Sequence, residues 1–291
     1  MDRAKAVACL IAVALAGCAG PRSAITVGSK NFTEQVVLGE IVAQHLEKRL
    51  RGKVERRLNL GGTLLAHQAL LAGQIDLYPE YTGTALMAIL KLPPATDPAA
   101  VFDRVRREYA RLGLTWMAPL GFDNGFAMVV RGAEARAHGL ATLSDAAGFR
   151  RGWALGVGYE FLSRADGLPA LLRTYRLPLR GEPRSMDLGL LYQALAQGRV
   201  DMAAGSETDG MIAAMDARVL RDDRRAFPPY QAALVARTDS LARHPGLPEA
   251  LGELSGKLSA ESMRELNRQV DGDHRPVVEV ARGFLGRAGL R

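Results

Sequence analysis

The feature that most constrains this chain is internal. The stretch His67-Gln-Ala-Leu-Leu-Ala-Gly-Gln-Ile-Asp76 can be laid without a gap on Tyr192-Gln-Ala-Leu-Ala-Gln-Gly-Arg-Val-Asp201. Gln68, Ala69, Leu70, Gly73 and Asp76 recur as Gln193, Ala194, Leu195, Gly198 and Asp201. Each copy reads as a helix end, a glycine at its C-terminal cap and a short strand. A polar turn follows each strand: Tyr78-Pro-Glu-Tyr-Thr-Gly-Thr84 in one copy and Gly205-Ser-Glu-Thr-Asp-Gly210 in the other. Unless two helix-to-strand junctions match by chance, the chain folds as two α/β lobes of similar wiring. The turns then lie at the carboxyl ends of parallel strands, where open α/β sheets bind ligands. Two such turns facing each other make a clamshell.

The remaining pattern fits. Residues 24–28 read as a strand, and Val36, Val37, Ile41, Val42 and Leu46 then recur at helical spacing, with Asn31 and Glu34 in the form of a cap. Further strands are expected at 54–59, 75–78, 115–118, 126–131, 153–157 and 200–204, with helices between them, the βαβ signature of parallel sheets.

At the N-terminus, Arg3 and Lys5 precede an apolar run from Ala6 to Ala16, as in an export signal too short to span a bilayer permanently. It ends in Leu15-Ala16-Gly17-Cys18, which resembles a bacterial lipobox and makes Cys18 the lipidated first mature residue. An ordinary small-residue cleavage site is the alternative. Cys9 falls in the removed segment, so no disulfide framework is available.

The net charge of +7 raises the question of nucleic acid. The arginines are scattered, however, and only 6% of residues are aromatic, with no stretch that interleaves rings and basic residues. Nucleic acid is therefore not expected as a partner. Catalytic constellations are missing too. His45, His67, His138, His244 and His274 show no metal-ligand spacing, and there is no G-x-S-x-G elbow. Asn59-Leu-Gly-Gly-Thr63 is Gly-rich but lacks the lysine of a phosphate cradle. Glu80, Asp123 and Asp209 have no evident catalytic partner in the pattern. The first and last of these read as turn organisers or surface contacts for a partner.

Several motifs in register carry a family likeness. Gly28-Ser-Lys-Asn-Phe-Thr-Glu-Gln35, Tyr78-Pro-Glu-Tyr-Thr-Gly-Thr84, Gly121-Phe-Asp-Asn124, Thr208-Asp-Gly210 with Asp222-Asp223, Phe227-Pro-Pro-Tyr230 and Glu265-Leu-Asn-Arg-Gln-Val-Asp-Gly272 resemble the binding components of quaternary-amine (glycine betaine, carnitine, choline) osmoprotectant ABC importers. The resemblance runs from about Ile25 to the end. It implies a two-lobed periplasmic-binding-protein fold of type II, each lobe a mixed, mostly parallel sheet flanked by helices. Residues 24–121 and 231–291 would form one lobe and 122–230 the other. It also implies a monomer without cofactor or catalysis, held to the membrane by the lipid on Cys18, that hands its solute to a permease driven by a separate ATPase.

A quaternary ammonium has no N–H to donate, so ring faces must hold it, each at about 0.5 to 2 kcal/mol. The family's four-ring cage maps here onto Tyr81, Phe126, Ser206 and Tyr230. Ser206 breaks the pattern, and it is the repeat partner of Tyr81. The change implies a weaker site, a solute with a hydrogen-bonding group, or a substitute ring such as Tyr159. Lys30 and Thr84 match positions that touch an anionic ligand tail. Two other readings stay open: the same fold with an amino acid or other polar solute, and an envelope enzyme or scaffold.

Overall fold

The computed structural model describes residues 24–290. The expected signal segment 1–17 and Cys18 lie outside the described residues.

Among the described residues ten strands run in chain order: β1 Ile25–Gly28, β2 Val54–Arg57, β3 Leu77–Tyr81, β4 Leu114–Trp116, β5 Phe126–Arg131, β6 Leu155–Val157, β7 Arg184–Ser185, β8 Met202–Ser206, β9 Ala217–Leu220 and β10 Ala232–Arg237. They form two five-stranded sheets, β2-β1-β3-β10-β4 and β7-β6-β8-β5-β9. In the first, β1 runs parallel to β2 and β3, and β10 antiparallel to β3 and β4. In the second, β6 runs parallel to β7 and β8, and β5 antiparallel to β8 and β9. The two sheets therefore share one topology.

The sheets are mixed, as expected, but half of their ladders are antiparallel, more than the sequence suggested. The reason is topological. Both β5 and β10 enter their sheet from a segment crossing over from the other one. A chain that arrives at the carboxyl ends of the parallel strands can only run away from that end, against its neighbours.

Both faces of each sheet are covered. In β10, Ala232, Leu234 and Ala236 join one core with Val37, Ile41 and Leu46 of the helix Thr33–Leu50, while Ala233 and Val235 join another with Leu70 and Tyr109. In β5, Met128 and Val130 face one core and Ala127 and Val129 the other. This period-two alternation with apolar side chains on both sides is what buried central strands require. Among the described residues no helix is long and apolar enough to cross a membrane.

The repeat works as a structural unit. Gly73 and Gly198 follow the helices Thr63–Leu71 and Leu188–Ala196 at φ +70° and +67°, the left-handed region that ends a helix cheaply only with glycine. Asp76 accepts the Thr26 amide at 2.8 Å, and Asp201 accepts the Ala154 amide at 3.1 Å, so each fixes the start of the neighbouring parallel strand. Arg237 donates to the carbonyls of Leu70 and Leu71, and Arg131 to those of Leu195 and Val200.

Both repeat strands begin two residues later than expected. The amides of Ile75 and Val200 still bond back to the carbonyls of Ala69 and Ala194, which ties those residues to the helix end. The cap reading of Asn31 and Glu34 is also corrected. The helix Thr33–Leu50 starts at an extended Phe32 with no side-chain cap, and Glu34 is committed elsewhere.

Candidate functional site

The paired crossovers bring the expected site residues together. Asp123 bridges to Gln231, and its carboxylate accepts the Tyr230 amide at 2.9 and 3.0 Å, which holds 122–126 beside 227–231. Asp222 accepts the amides of Ala226 and Phe227 at 2.9 and 3.0 Å, fixing the approach to the two prolines. Gly83 must be glycine. A Cβ there would stand 2.6 Å from the Pro229 carbonyl and 2.7 Å from the Tyr230 ring.

Phe126 stands at the centre of an aromatic group. Its ring centroid lies 4.9 Å from Phe161 and 5.6 Å from both Phe227 and Tyr230, all edge to face. Ser206 sits directly opposite Phe126 in the β5–β8 ladder, so both side chains emerge on one face of the sheet. Tyr81 closes β3, opposite Ala232 and two residues from Tyr230, with Phe32 stacked against it at 6.4 Å. Tyr159 is 64% exposed.

The faces of these rings already carry cations. The Lys30 ammonium lies 5.1 Å from the Tyr81 centroid. The Arg164 guanidinium lies 5.0 Å from Phe126 and 5.9 Å from Tyr230. These are the separations at which a cation is attracted to a ring quadrupole. Arg164 also reaches across to the first sheet's turn, donating to the Thr84 hydroxyl at 3.2 Å. Thr63, the first residue of its helix, gives its amide and hydroxyl to Glu160 at 2.6 and 3.0 Å, placing a carboxylate at a helix N-terminus.

Glu80, read from the sequence as a turn or surface residue, is fully buried. It accepts the Lys30 ammonium, the Tyr78 phenol at 2.9 Å and the Tyr81 amide at 2.7 Å. The charge of Lys30 is thus matched inside the protein. Asp209 is half-buried and organises its turn through the Met211 amide at 3.4 Å; burial pushes its carboxyl up to about 7.

Two buried acids stand behind the rings. Glu34 accepts the Tyr81 phenol at 2.6 Å and the Asn124 amide group at 2.8 Å on one oxygen, and the Thr208 hydroxyl and Asn267 on the other. Asp166 accepts the Tyr230 phenol at 2.7 Å and pairs with Arg164. Burial, and then the adjacent carboxylates, hold both phenols protonated far above the ordinary tyrosine range. Burial also raises Glu34, against the pull of its four hydrogen bonds. Burial works against the Arg164 charge, but Asp166 more than restores it. For Glu160 burial is outweighed by Lys30, the Thr63 amide and Arg164, so its carboxyl lies below the usual range. Lys30 thus pairs with Glu80, and Arg164 with Asp166 and Glu160, while Glu34 is bonded by neutral groups. Among the described residues no cluster of side chains is arranged to hold a metal ion.

A family model described as the substrate binding domain of the ABC-type glycine betaine transport system matches residues 23–287. The chain belongs to that family. The carnitine transport binding protein OpuCC of Listeria monocytogenes serotype 1/2a is 33% identical over 267 residues, covering 91% of this chain and 86% of the relative. The ergothioneine transport permease/ergothioneine binding protein EgtU of Helicobacter pylori is 33% identical over 277 residues, covering 93% of this chain but 49% of the relative, so the chain spans about half of that protein. A crystal structure titled glycine betaine/carnitine/choline ABC transporter superposes with a TM-score of 0.77 at 31% identity, covering 91% of this chain and 99% of that one.

This substrate-binding domain shows its rings to a reader of its sequence but hides their partners. Glu34, Glu160, Arg164 and Asp166 look like ordinary solvated charges in SKNFTEQ and in Tyr159-Glu-Phe-Leu-Ser-Arg-Ala-Asp166. Phe161 and Leu162, apolar between charges, are the signal in that stretch that could have placed the segment against a core.

Proposed function

We propose that this domain captures a small trimethylammonium solute of the glycine betaine, choline or carnitine class and delivers it to an ABC permease served by its own ATPase. Tyr81, Phe126 and Tyr230 would hold the cationic head, and Arg164, Thr84 and Lys30 any carboxylate tail. The observation that carries the reading is the guanidinium of Arg164 lying over two rings: these faces accept a delocalised, weakly hydrated cation, which is the chemistry of a trimethylammonium group. The solutes in the relatives' names support it, since betaine, carnitine, choline and ergothioneine all bear that group. The relative that joins permease and binding protein in one chain supports the partner.

Segments 24–121 and 231–291 would move as one lobe against 122–230, with the Thr63–Glu160 and Thr84–Arg164 bonds forming as the lobes close. The protein performs no chemistry on its solute. It would act as a monomer in the periplasm or at the outer face of the cell membrane, anchored by a lipid on Cys18.

A second reading has one specific observation in its favour. Ser206 beside Phe126 offers a hydroxyl where a fourth ring is expected, which suits an amino acid or other polar solute. Titration calorimetry of the protein truncated after Cys18 separates the two. Micromolar binding of glycine betaine, choline or carnitine, lost on removal of the N-methyl groups, supports the cage. Binding confined to amino acids overturns it.

A further inference from the structure

We propose that Glu34 and Asp166 are positioning residues that tune the aromatic site for a permanent cation, acting through the phenols of Tyr81 and Tyr230. The inference rests on the reading of those rings as the solute site. Each ring is buried with its hydroxyl pointed at a carboxylate, Tyr81 at Glu34 at 2.6 Å and Tyr230 at Asp166 at 2.7 Å. A phenol that donates to a carboxylate gains electron density in its ring, and the acid's own charge lies on the far edge of the same ring. Both effects deepen the negative potential of the face that meets a cation. A neutral guest of the same shape gains nothing from either.

The two acids differ in weight. Asp166 shares its charge with Arg164, whose Nε lies 3.0 Å from its Oδ1. The four groups that bond Glu34 are neutral: Tyr81, Asn124, Thr208 and Asn267. Its ionised form can accept from all four, whereas a protonated carboxyl would turn its own O–H against one of them. Those four partners come from separate places in the fold: the end of β3, a crossover, the turn after β8 and the helix Ala260–Asp271. Glu34 is therefore fixed from several sides, and no cation among its bonded partners offsets the carboxylate that accepts from Tyr81. Phe126 has no phenol to donate to an acid and packs edge to face with Phe161, Phe227 and Tyr230.

The test compares glycine betaine with 3,3-dimethylbutanoate, its uncharged-head carbon isostere, by titration calorimetry on the soluble protein. Wild type prefers glycine betaine. Glu34→Gln lowers that preference about tenfold while the isostere's affinity changes less than about twofold. Tyr81→Phe has a similar effect, and the double variant adds little, because both changes act on one phenol. Asp166→Asn lowers the preference less, about threefold. If Glu34→Gln weakens both ligands equally, or leaves the preference unchanged, the acid is only structural and the inference falls while the cage stands. Should Glu34→Gln fail to fold, Tyr81→Phe decides: an unchanged preference overturns the inference. A wild type that binds neither compound, or both alike, overturns the cage and the inference together.

Discussion

The two halves of this molecule are built alike but carry different side chains at the turns that end their repeat strands. Both sheets have the same strand order, the same left-handed glycine after the repeat helix, the same aspartate pinning the next parallel strand, and the same arginine reaching the helix's last carbonyls. Where the turns reach the cleft the correspondence stops. Tyr81 of one half corresponds to Ser206 of the other, and Thr84, which meets Arg164, corresponds to the half-buried acid Asp209. The repeat has been kept where it builds a sheet and has diverged where it would touch a ligand. Residues that satisfy backbone groups have no freedom to vary, because each replacement strands a buried donor or acceptor.

The sharpest way to break this comparison is to remove the shared aspartates. Asp201 is 5% exposed and holds Arg180 at 2.6 Å as well as the Ala154 amide. Asp76 holds the Thr26 amide and the Ser240 hydroxyl, with Arg243 farther off at 3.6 Å. Asp201→Ala is expected to cost about 3 kcal/mol and Asp76→Ala about 2 kcal/mol in urea unfolding. A cost near zero at one site would mean that the halves are not built on the same device.

Binding should separate the halves next. Tyr81→Ala weakens glycine betaine by about 1 to 3 kcal/mol, since a buried ring and its cation contact are both lost. Ser206→Ala, at the equivalent position, changes the dissociation constant by less than about twofold. Equal losses would show that the hydroxyl carries as much of the site as the ring.

The halves should also part in their response to pH. Burial raises the folded-state pKa of Asp209 to about 7, against roughly 3.9 in an unfolded chain. Between those values the folded protein binds more protons, so this group's contribution is fully present below about pH 4 and is lost as pH rises through 7. Thr84, its counterpart, does not titrate. Asp209→Asn is therefore expected to abolish a decline in Tm of about 4 °C between pH 5.5 and 8. A wild type and variant with parallel Tm profiles would remove the acid from the account.

Much of the fold could be read in the chain because its signals are local. The repeat, the glycine caps and the short β-branched runs announce two α/β units within windows of ten residues. The antiparallel strand β10 was missed because its neighbours β3 and β4 lie more than a hundred residues upstream, and Pro228-Pro229 just before it masks a short Ala-rich run. The site divided the same way. Tyr81, Phe126 and Tyr230 are singled out by motif resemblance, and the crossovers bring them into one packed region. Glu80 was misplaced on the surface because its burial depends on Lys30, fifty residues away, arriving to match its charge. Glu34, Arg164 and Asp166 do not show in the sequence as partners of the rings, since a lone charge carries no trace of a ring it meets only in the folded chain.

The finest test restores what the second half lacks. Ser206 and Phe126 emerge from one face of adjacent strands, and Ser206 is already half-buried, so a ring placed there would stand beside Phe126 without crossing the sheet. A well-oriented fourth face adds about 0.5 to 1 kcal/mol at a partly exposed position, and Ser206→Tyr should tighten glycine betaine about two- to fivefold. The gain should fall to nothing for 3,3-dimethylbutanoate, because a neutral head does not feel the ring quadrupole. Equal tightening of both compounds would mean that the new ring acts by excluding water, and the asymmetry between Tyr81 and Ser206 would then be one of shape and not of charge. Weaker binding of both would mean that the space beside Ser206 is already used by the solute, and the serine would have to be read as a contact in its own right.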